Sequence, residues 1–177
     1  MTDDTELPDT TTVSEVDPGA VYIPEIAKAG GAFAKAVYSN SKLPLRTFEA
    51  ARIVTAMING CKICMNWRAA RDVSQFGIEN GVDKNGDAPD EEFYLALLDD
   101  NYSVLSQQEE LAIQYAKLMG TDPQKLSADD TLWNEMRTEF SEAELTDLTY
   151  CIAMWMGMGR MTHVLGLDSG CEVTPQS

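Results

Sequence analysis

Two of the four cysteines in the 177-residue sequence, Cys61 and Cys64, form a C-x-x-C motif within the run NGCKICMNWR at positions 59–68. On a helix, thiols at i and i+3 lie on one face, close enough to form a disulfide ring or to share a metal ion. Without a second pair of matching spacing, such a motif is more typical of a redox-active pair than of a structural or metal-binding one. Cys61 and Cys64 are therefore the candidate catalytic residues.

The other sulfur and imidazole groups do not complete a metal site. Zinc takes about four ligands, and the remaining candidates are scattered far along the chain, at Cys151, His163 and Cys171. We therefore expect no metal ion and no other cofactor. His163 and Cys151 lie in the apolar last helical segment and are predicted to be core residues, whereas Cys171 is in a tail and has no assigned role.

The surroundings of the motif favour an activated thiol. Residues 42–71 contain six basic residues and one acidic residue, Glu49, in a chain whose formal charge is −16. Cys61 is predicted to open a helix, where unpaired N–H groups and the macrodipole lower the pKa of a thiol. If this helix returns antiparallel along the preceding one, the Glu49 carboxylate lies beside the cysteines as a proton acceptor. An interhelical ion pair between Glu49 and Arg68 is an equally good interpretation.

Helical patterns extend through most of the chain and position these residues. Asn59 and Gly60 predict a left-handed cap that ends one helix just before Cys61. Two capping boxes, SQQE at 106–109 and SEAE at 141–144, predict two helix starts. The predicted helices cover residues 24–38, 46–59, 61–76, 90–98, 106–120, 129–140 and 141–166. No stretch alternates as a strand would, so the predicted fold class is all-α.

Length and charge limit the classes of function. We expect one helical domain over residues 20–170, a flexible acidic tail at 1–19 and a C-terminal tail at 171–177. The acidity argues against nucleic-acid and anionic membrane partners. The most apolar run, 150–167, contains Arg160 and His163, so no membrane span is predicted. The start of the chain has no signal-peptide pattern, and we expect a cytoplasmic protein.

The order of motifs resembles the AhpD-like alkylhydroperoxidase and carboxymuconolactone decarboxylase superfamily. Glu49 stands in the run RTFEAAR at 46–52 and is followed, after eleven residues, by the C-x-x-C motif. The later parts of the resemblance are LSQQE at 105–109, FSEAEL at 140–145, GR at 159–160 and LGL at 165–167. Together the motifs span roughly residues 20–168.

This resemblance implies an all-helical fold that assembles as a homotrimer or hexamer. In members of the AhpD type, the second cysteine attacks a hydroperoxide and becomes a sulfenic acid, which the first cysteine resolves as a disulfide. Carried over, Cys64 is the attacking thiol and Cys61 the resolving thiol, while Glu49 matches the glutamate of the family's proton relay. A dithiol reductant, lipoyl or thioredoxin-like, regenerates the pair.

Two relay histidines of the family are replaced here, by Ile63 and Arg68. Arginine stays protonated and does not shuttle protons, but it can stabilise a thiolate or bind an anionic substrate. The expected function is therefore a thiol-dependent oxidoreductase that uses a hydroperoxide or a protein disulfide as electron acceptor. Two alternatives remain open: a lyase or isomerase of the carboxymuconolactone decarboxylase type acting on a small carboxylate held by Arg68, and a catalytically silent oligomeric protein.

Overall fold

The computed structural model of the chain describes residues 17–170. Its helices are α1 Pro18–Tyr22, α2 Pro24–Asn40, α3 Leu45–Asn59, α4 Lys62–Asn66, α5 Ala69–Asp72, α6 Glu91–Leu98, α7 Gln107–Thr121, α8 Pro123–Ala128, α9 Asp130–Glu139 and α10 Glu142–Val164, with 3₁₀ turns at Val73–Phe76 and Val82–Lys84. No strand occurs within 17–170, and the predicted all-α class is confirmed. Most of the predicted acidic tail, and the C-terminal tail with Cys171, lie outside the described residues.

Helix α3 is the centre of the fold. It packs against α7 and α10, and α6 covers a further side. Apolar residues point from α3 in several directions: Phe48 joins a cluster with Trp155 of α10, while Ile53 joins a second cluster with Phe93 of α6. A helix enclosed on nearly all sides must satisfy its polar side chains inside the protein. The polar residues of α3 are therefore the ones that organise the site.

The predicted boundary between α3 and the cysteine motif is confirmed. Gly60 has φ 70°, so it caps α3 in the left-handed conformation that favours glycine. Cys61 is the N-cap of α4. The capping boxes that begin at Ser106 and Ser141 are both present at the starts of α7 and α10.

The prediction of one continuous helix from 61 to 76 is wrong, because α4 ends at Asn66 and α5 begins only at Ala69. In a continuous helix the Arg68 N–H would donate to the carbonyl of Cys64. Here Asp72 accepts from the Arg68 N–H at 2.8 Å, and Arg52 of α3 donates to the Cys64 carbonyl at 2.6 Å. Side chains thus satisfy both the donor and the acceptor of the missing backbone hydrogen bond.

Two short helices were not predicted. Helix α1 begins at Pro18, within the last residues of the predicted tail, and α8 follows Pro123 directly after α7. Each starts with proline in its first turn and an aspartate as N-cap, Asp17 and Asp122. None of the described helices is both long enough and apolar enough to cross a lipid bilayer.

Candidate active site

The two cysteines of the motif are joined by a disulfide, with their Cα atoms 5.3 Å apart. Cys61 is fully buried, and its sulfur accepts a hydrogen bond of 3.3 Å from the backbone N–H of Cys64. Cys64 is only partly buried and borders a cavity. The pair therefore has an inner sulfur and an outer sulfur, and the outer sulfur is the one that a small molecule can reach.

The cavity beside Cys64 has a volume of about 170 Å³ and lies between α2, α3, α4 and α10. Its wall is mainly apolar, with contributions from Ala34, Ala56, Ile63, Trp67, Met154 and Met158. The polar side chains on the wall are Tyr38, Arg52, Asn59, Trp155 and Thr162. An apolar cavity with a few polar groups is the usual form of a small-molecule site.

Glu49 and Arg52, one turn apart on α3, form a fully buried ion pair with Arg52 Nη2 and Glu49 Oε2 2.6 Å apart. Arg52 also donates to the carbonyls of Cys64 at 2.6 Å and Trp67 at 2.5 Å, and Glu49 accepts from the Ala69 N–H at 3.0 Å. Burial alone would lower the pKa of Arg52, but the adjacent Glu49 carboxylate raises it. Together they fix the turn that follows the cysteine helix.

Glu49 therefore reaches the cysteines only indirectly. Its carboxylate makes no hydrogen bond to either sulfur, and its link to Cys64 passes through the guanidinium of Arg52. The sequence interpretation included Arg52 only as one of several nearby basic residues. The signal that would have identified it is its spacing from Glu49, combined with the apolar residues on every face of α3.

Arg68 points away from the cavity. Its side chain pairs with Glu91 of α6 at 3.2 Å, donates to the Met65 carbonyl at 2.6 Å and lies over the Tyr94 ring at 3.9 Å. The alternative of an ion pair between Glu49 and Arg68 is wrong, since each residue has a different partner. The structure does not bring Arg68 into hydrogen-bonding contact with either sulfur.

The positive charge near the motif is balanced by acids from other parts of the fold. Arg46 pairs with Glu109 of α7, Arg71 pairs with Asp72, and Arg52 and Arg68 are paired as described above. The count of charges over residues 42–71 omitted most of these partners because they lie later in the sequence. The expected concentration of positive charge around the cysteines is therefore offset by acids at four of its six basic residues.

The single histidine lies beside the start of the cysteine helix rather than in the core. The side chain of His163 is 48% exposed, and its Nδ1 lies 3.1 Å from Oδ2 of the buried Asp168. A Cβ atom on Gly60 would lie 3.0 Å from His163 Nε2. Asp168 Oδ2 also accepts from the Lys62 N–H, the first of α4, at 2.9 Å. The prediction of a core histidine is wrong, and Asp168 was not identified from the sequence.

The acidity of these groups follows from their surroundings. Burial would raise the pKa of Asp168, but hydrogen bonds from Lys62 and His163 hold it below its usual value. Burial raises the pKa of Tyr38 to about 12, so its hydroxyl stays protonated near neutral pH. Burial and the nearby Asp147 raise the pKa of the Cys151 thiol, so we expect little reactive thiolate at this position.

Within residues 17–170, no three His, Cys, Asp or Glu side chains come together as metal ligands.

No family model matches the sequence, and no curated protein matches it. Among solved structures, the chain is similar to the crystal structure of a protein of unknown function from Agrobacterium tumefaciens, a candidate AhpD antioxidant defence protein. The two are 20% identical, with a TM-score of 0.65, and the match covers 88% of this chain and 96% of that chain. The chain therefore has an AhpD-like fold.

Proposed function

We propose that the protein is a thiol-dependent oxidoreductase that reduces a hydroperoxide with the Cys61–Cys64 pair. The observation that carries this proposal is the arrangement of the two sulfurs: Cys64 borders an apolar cavity, and Cys61 is buried behind it at bonding distance. An attacking thiol has to meet the substrate, whereas a resolving thiol has only to meet the product of the first step. The fold of a candidate antioxidant protein is consistent with this chemistry.

The reaction has two steps on the protein. The Cys64 thiolate attacks one oxygen of the hydroperoxide and breaks the O–O bond, which gives a Cys64 sulfenic acid and an alkoxide that takes up a proton to leave as the alcohol. The Cys61 thiol then attacks the Cys64 sulfur, forms the disulfide and releases water. The two electrons that reduce the peroxide come from the two thiols.

A dithiol, of the lipoyl or thioredoxin-like kind, completes the cycle. One of its thiolates attacks Cys64, the outer sulfur, and Cys61 leaves as a thiol; the second thiol of the reductant then attacks the mixed disulfide and frees Cys64. Glu49 acts in this scheme as a positioning residue through Arg52. Arg68 holds the turn after α4 through the carbonyl of Met65.

The test is the reaction of reduced protein with cumene hydroperoxide in the presence of dihydrolipoamide. We expect Cys64→Ser to abolish turnover, because the attacking thiol is gone. Reduced Cys61→Ser, freed of dihydrolipoamide and treated with peroxide alone, should consume about one equivalent and then stop with Cys64 as sulfenic acid, detected by dimedone labelling and mass spectrometry. Cys151→Ser is the matched control, since this buried thiol takes no part, and its turnover should equal that of the wild type.

Two outcomes would contradict the proposal. One is peroxide treatment of the reduced wild type that leaves Cys61 and Cys64 as free thiols in peptide mass analysis. The other is unchanged turnover in Cys64→Ser. Reduction of a protein disulfide by the pair, without peroxide turnover, would assign the same cysteines to disulfide exchange.

The lyase alternative gains no support from the cavity, because Arg68 pairs with Glu91 and does not line it.

A further inference from the structure

One buried carboxylate shares the start of α4 with the sulfur of Cys61. Oδ2 of Asp168 accepts from the N–H of Lys62 at 2.9 Å, and Sγ of Cys61 accepts from the N–H of Cys64 at 3.3 Å. The two acceptors therefore bind N–H groups of the same helical turn. Asp168 is 3% exposed and Cys61 is 0% exposed, so both groups are shielded from bulk water.

Covalent geometry limits the distance between this carboxylate and the sulfur. Cys61 directly precedes Lys62, so its Sγ lies within about 5 Å of Lys62 N. Because Asp168 Oδ2 is 2.9 Å from that nitrogen, the charge lies within about 8 Å of the sulfur. Backbone bonds from Cys61 to the Ala56 carbonyl at 3.1 Å and from Met65 to the Cys61 carbonyl at 3.0 Å hold Cys61 in place. Neither bond depends on the disulfide.

Asp168 carries its charge in the folded protein. Burial raises its pKa, but the hydrogen bonds from Lys62 and His163 outweigh burial and keep the pKa below its usual value. Nδ1 of His163 lies 3.1 Å from Oδ2 of Asp168. An imidazole is neutral in the alkaline range in which thiols ionise. The ring then donates a hydrogen bond to Asp168 without supplying a compensating charge.

The cations around α4 do not balance this carboxylate. Arg52 binds at the opposite end of α4, and its charge is balanced by Glu49 in the buried pair. Arg68 is paired with another acid, as described above. The Lys62 side chain is exposed, so water and salt weaken its field. Asp168 itself pairs with the imidazole of α10 rather than with a lysine or an arginine.

We propose that Asp168 keeps the Cys61 thiol protonated in the reduced pair, so that Cys64 alone carries the thiolate. A fixed negative charge disfavours a second one beside it, and it opposes the effect by which a helix start favours a thiolate. With an effective dielectric constant of about 20, a charge within about 8 Å changes an ionisation equilibrium about tenfold or more. Asp168 is thus a positioning residue that acts through Cys61.

The retained proton is used in the resolving step, which rests on the function proposed above. The Cys61 sulfur attacks the Cys64 sulfenic acid, so that an S–S bond forms and the S–O bond breaks. Cys61 is oxidised, the sulfenic sulfur is reduced to the disulfide, and the Cys61 proton leaves with the hydroxide as water. A resolving thiol that brings its own proton needs no relay histidine, in keeping with isoleucine and arginine at positions 63 and 68.

The test is a pH titration of the reduced, full-length Cys64→Ser variant by ¹³C NMR, with cysteine labelled at Cβ. This background removes the coupled titration of two thiols, and the Cys61 signal is assigned by its loss when Cys61→Ser is added. We expect Cys61 to be a thiol at neutral pH. Asp168→Asn keeps an acceptor for the Lys62 N–H but removes the charge. It should lower the midpoint of Cys61 ionisation by about one pH unit or more, a tenfold change.

Two control variants separate the charge from the structure. His163→Ala removes the partner of Asp168 and keeps the carboxylate, so the midpoint should not fall. Asp129→Asn removes the carboxylate that accepts from the Leu132 N–H at the start of α9, and it should leave the midpoint unchanged.

Three outcomes would overturn the proposal. Cys61 could be a thiolate at neutral pH in protein that keeps Asp168, Asp168→Asn could leave the midpoint where it was, or His163→Ala and Asp168→Asn could lower it equally. The titration needs no peroxide. Absence of peroxide turnover would therefore refute the proposed function and leave the ionisation result standing.

Discussion

Arg52 is the residue that connects the cysteine helix to the core. Its guanidinium is shared between Glu49 and the carbonyls of Cys64 and Trp67. In the sequence, an acid and a base at i and i+3 resemble an ordinary surface ion pair. Only the packing of α6, α7 and α10 around α3 buries this pair, so that Arg52 holds the cysteine helix from inside the protein. Such packing is not visible in local sequence patterns.

Replacement of Arg52 by methionine should destabilise the protein strongly. It leaves the Glu49 carboxylate buried without a counter-charge, and breaking a buried pair in this way costs about 3–5 kcal/mol. The measurement is the free energy of unfolding in urea. Arg71→Met is the control, since the Arg71 side chain is 42% exposed and its pair should contribute at most about 1 kcal/mol. Similar losses of unfolding free energy in both variants would show that the buried Arg52 pair contributes no more to stability than the exposed Arg71 pair.

Asp168 should make stability depend on pH in the acid range. Its pKa in the folded protein lies below the ordinary 3.8, so the ionised form stabilises the fold. This contribution is complete above pH 3.8 and is lost as the pH falls through the lowered folded pKa. Asp168→Asn should therefore be less stable than the wild type at neutral pH, and the difference should shrink in strong acid.

Urea unfolding at a series of pH values measures this effect. Glu135→Gln, which removes an exposed carboxylate on α9, serves as the control and should show little difference at any pH. A gap between Asp168→Asn and the wild type that stays constant down to pH 2 would contradict the assignment of the pKa shift to the Lys62 and His163 contacts.

At the scale of elements, α4 is too short to be stable by itself, since isolated helices of five residues do not form in water. Asp168 holds its first N–H and Arg52 holds the carbonyl of Cys64. The cap at Gly60 was predictable because its signal is local. The break after Asn66 was not, because the groups that replace the backbone bond are the side chains of Arg52 on α3 and Asp72 on α5, and the helical pattern continues through the break.

Gly60→Ala should cost more stability than Gly77→Ala. Both glycines have positive φ, 70° and 66°, so a side chain adds about 1–2 kcal/mol of backbone strain at either site. A Cβ on Gly60 also meets His163 at 3.0 Å, whereas nothing lies within 4 Å of one on Gly77. Urea unfolding of the two variants isolates this contact.

The added variant His163→Ala provides the control for that comparison. With the imidazole removed, the cost of Gly60→Ala should fall to that of Gly77→Ala. If Gly60→Ala and Gly77→Ala are equally destabilising while His163 is present, a side chain at position 60 makes no unfavourable steric contact with the histidine.

At the scale of the whole molecule, α2 exposes an apolar face. Val37 is its only buried residue, while Ile26 and Phe33 are exposed and lie on the same face, seven residues apart. Paired apolar residues on an exposed helix are typical of an interaction surface. This face is our candidate for the contact between subunits in the expected homotrimer or hexamer.

Light scattering after size-exclusion chromatography tests this expectation. The wild type should elute with the mass of three or six chains, and the double variant Ile26→Asp/Phe33→Asp should elute as a smaller species, because charges desolvated at an interface oppose association. Val104→Asp is the control, since Val104 is exposed and belongs to the loop between α6 and α7 rather than to α2. A monomeric wild type, or a double variant of unchanged mass, would contradict the prediction.

The position of His163 has a practical consequence. The chain contains one histidine, and its ring lies against Gly60, immediately before Cys61. In one-dimensional ¹H NMR, its C2 proton gives a single imidazole signal that needs no isotope labelling and no assignment. Because that signal arises next to the start of the cysteine helix, we expect its chemical shift to change when the pair is oxidised or reduced.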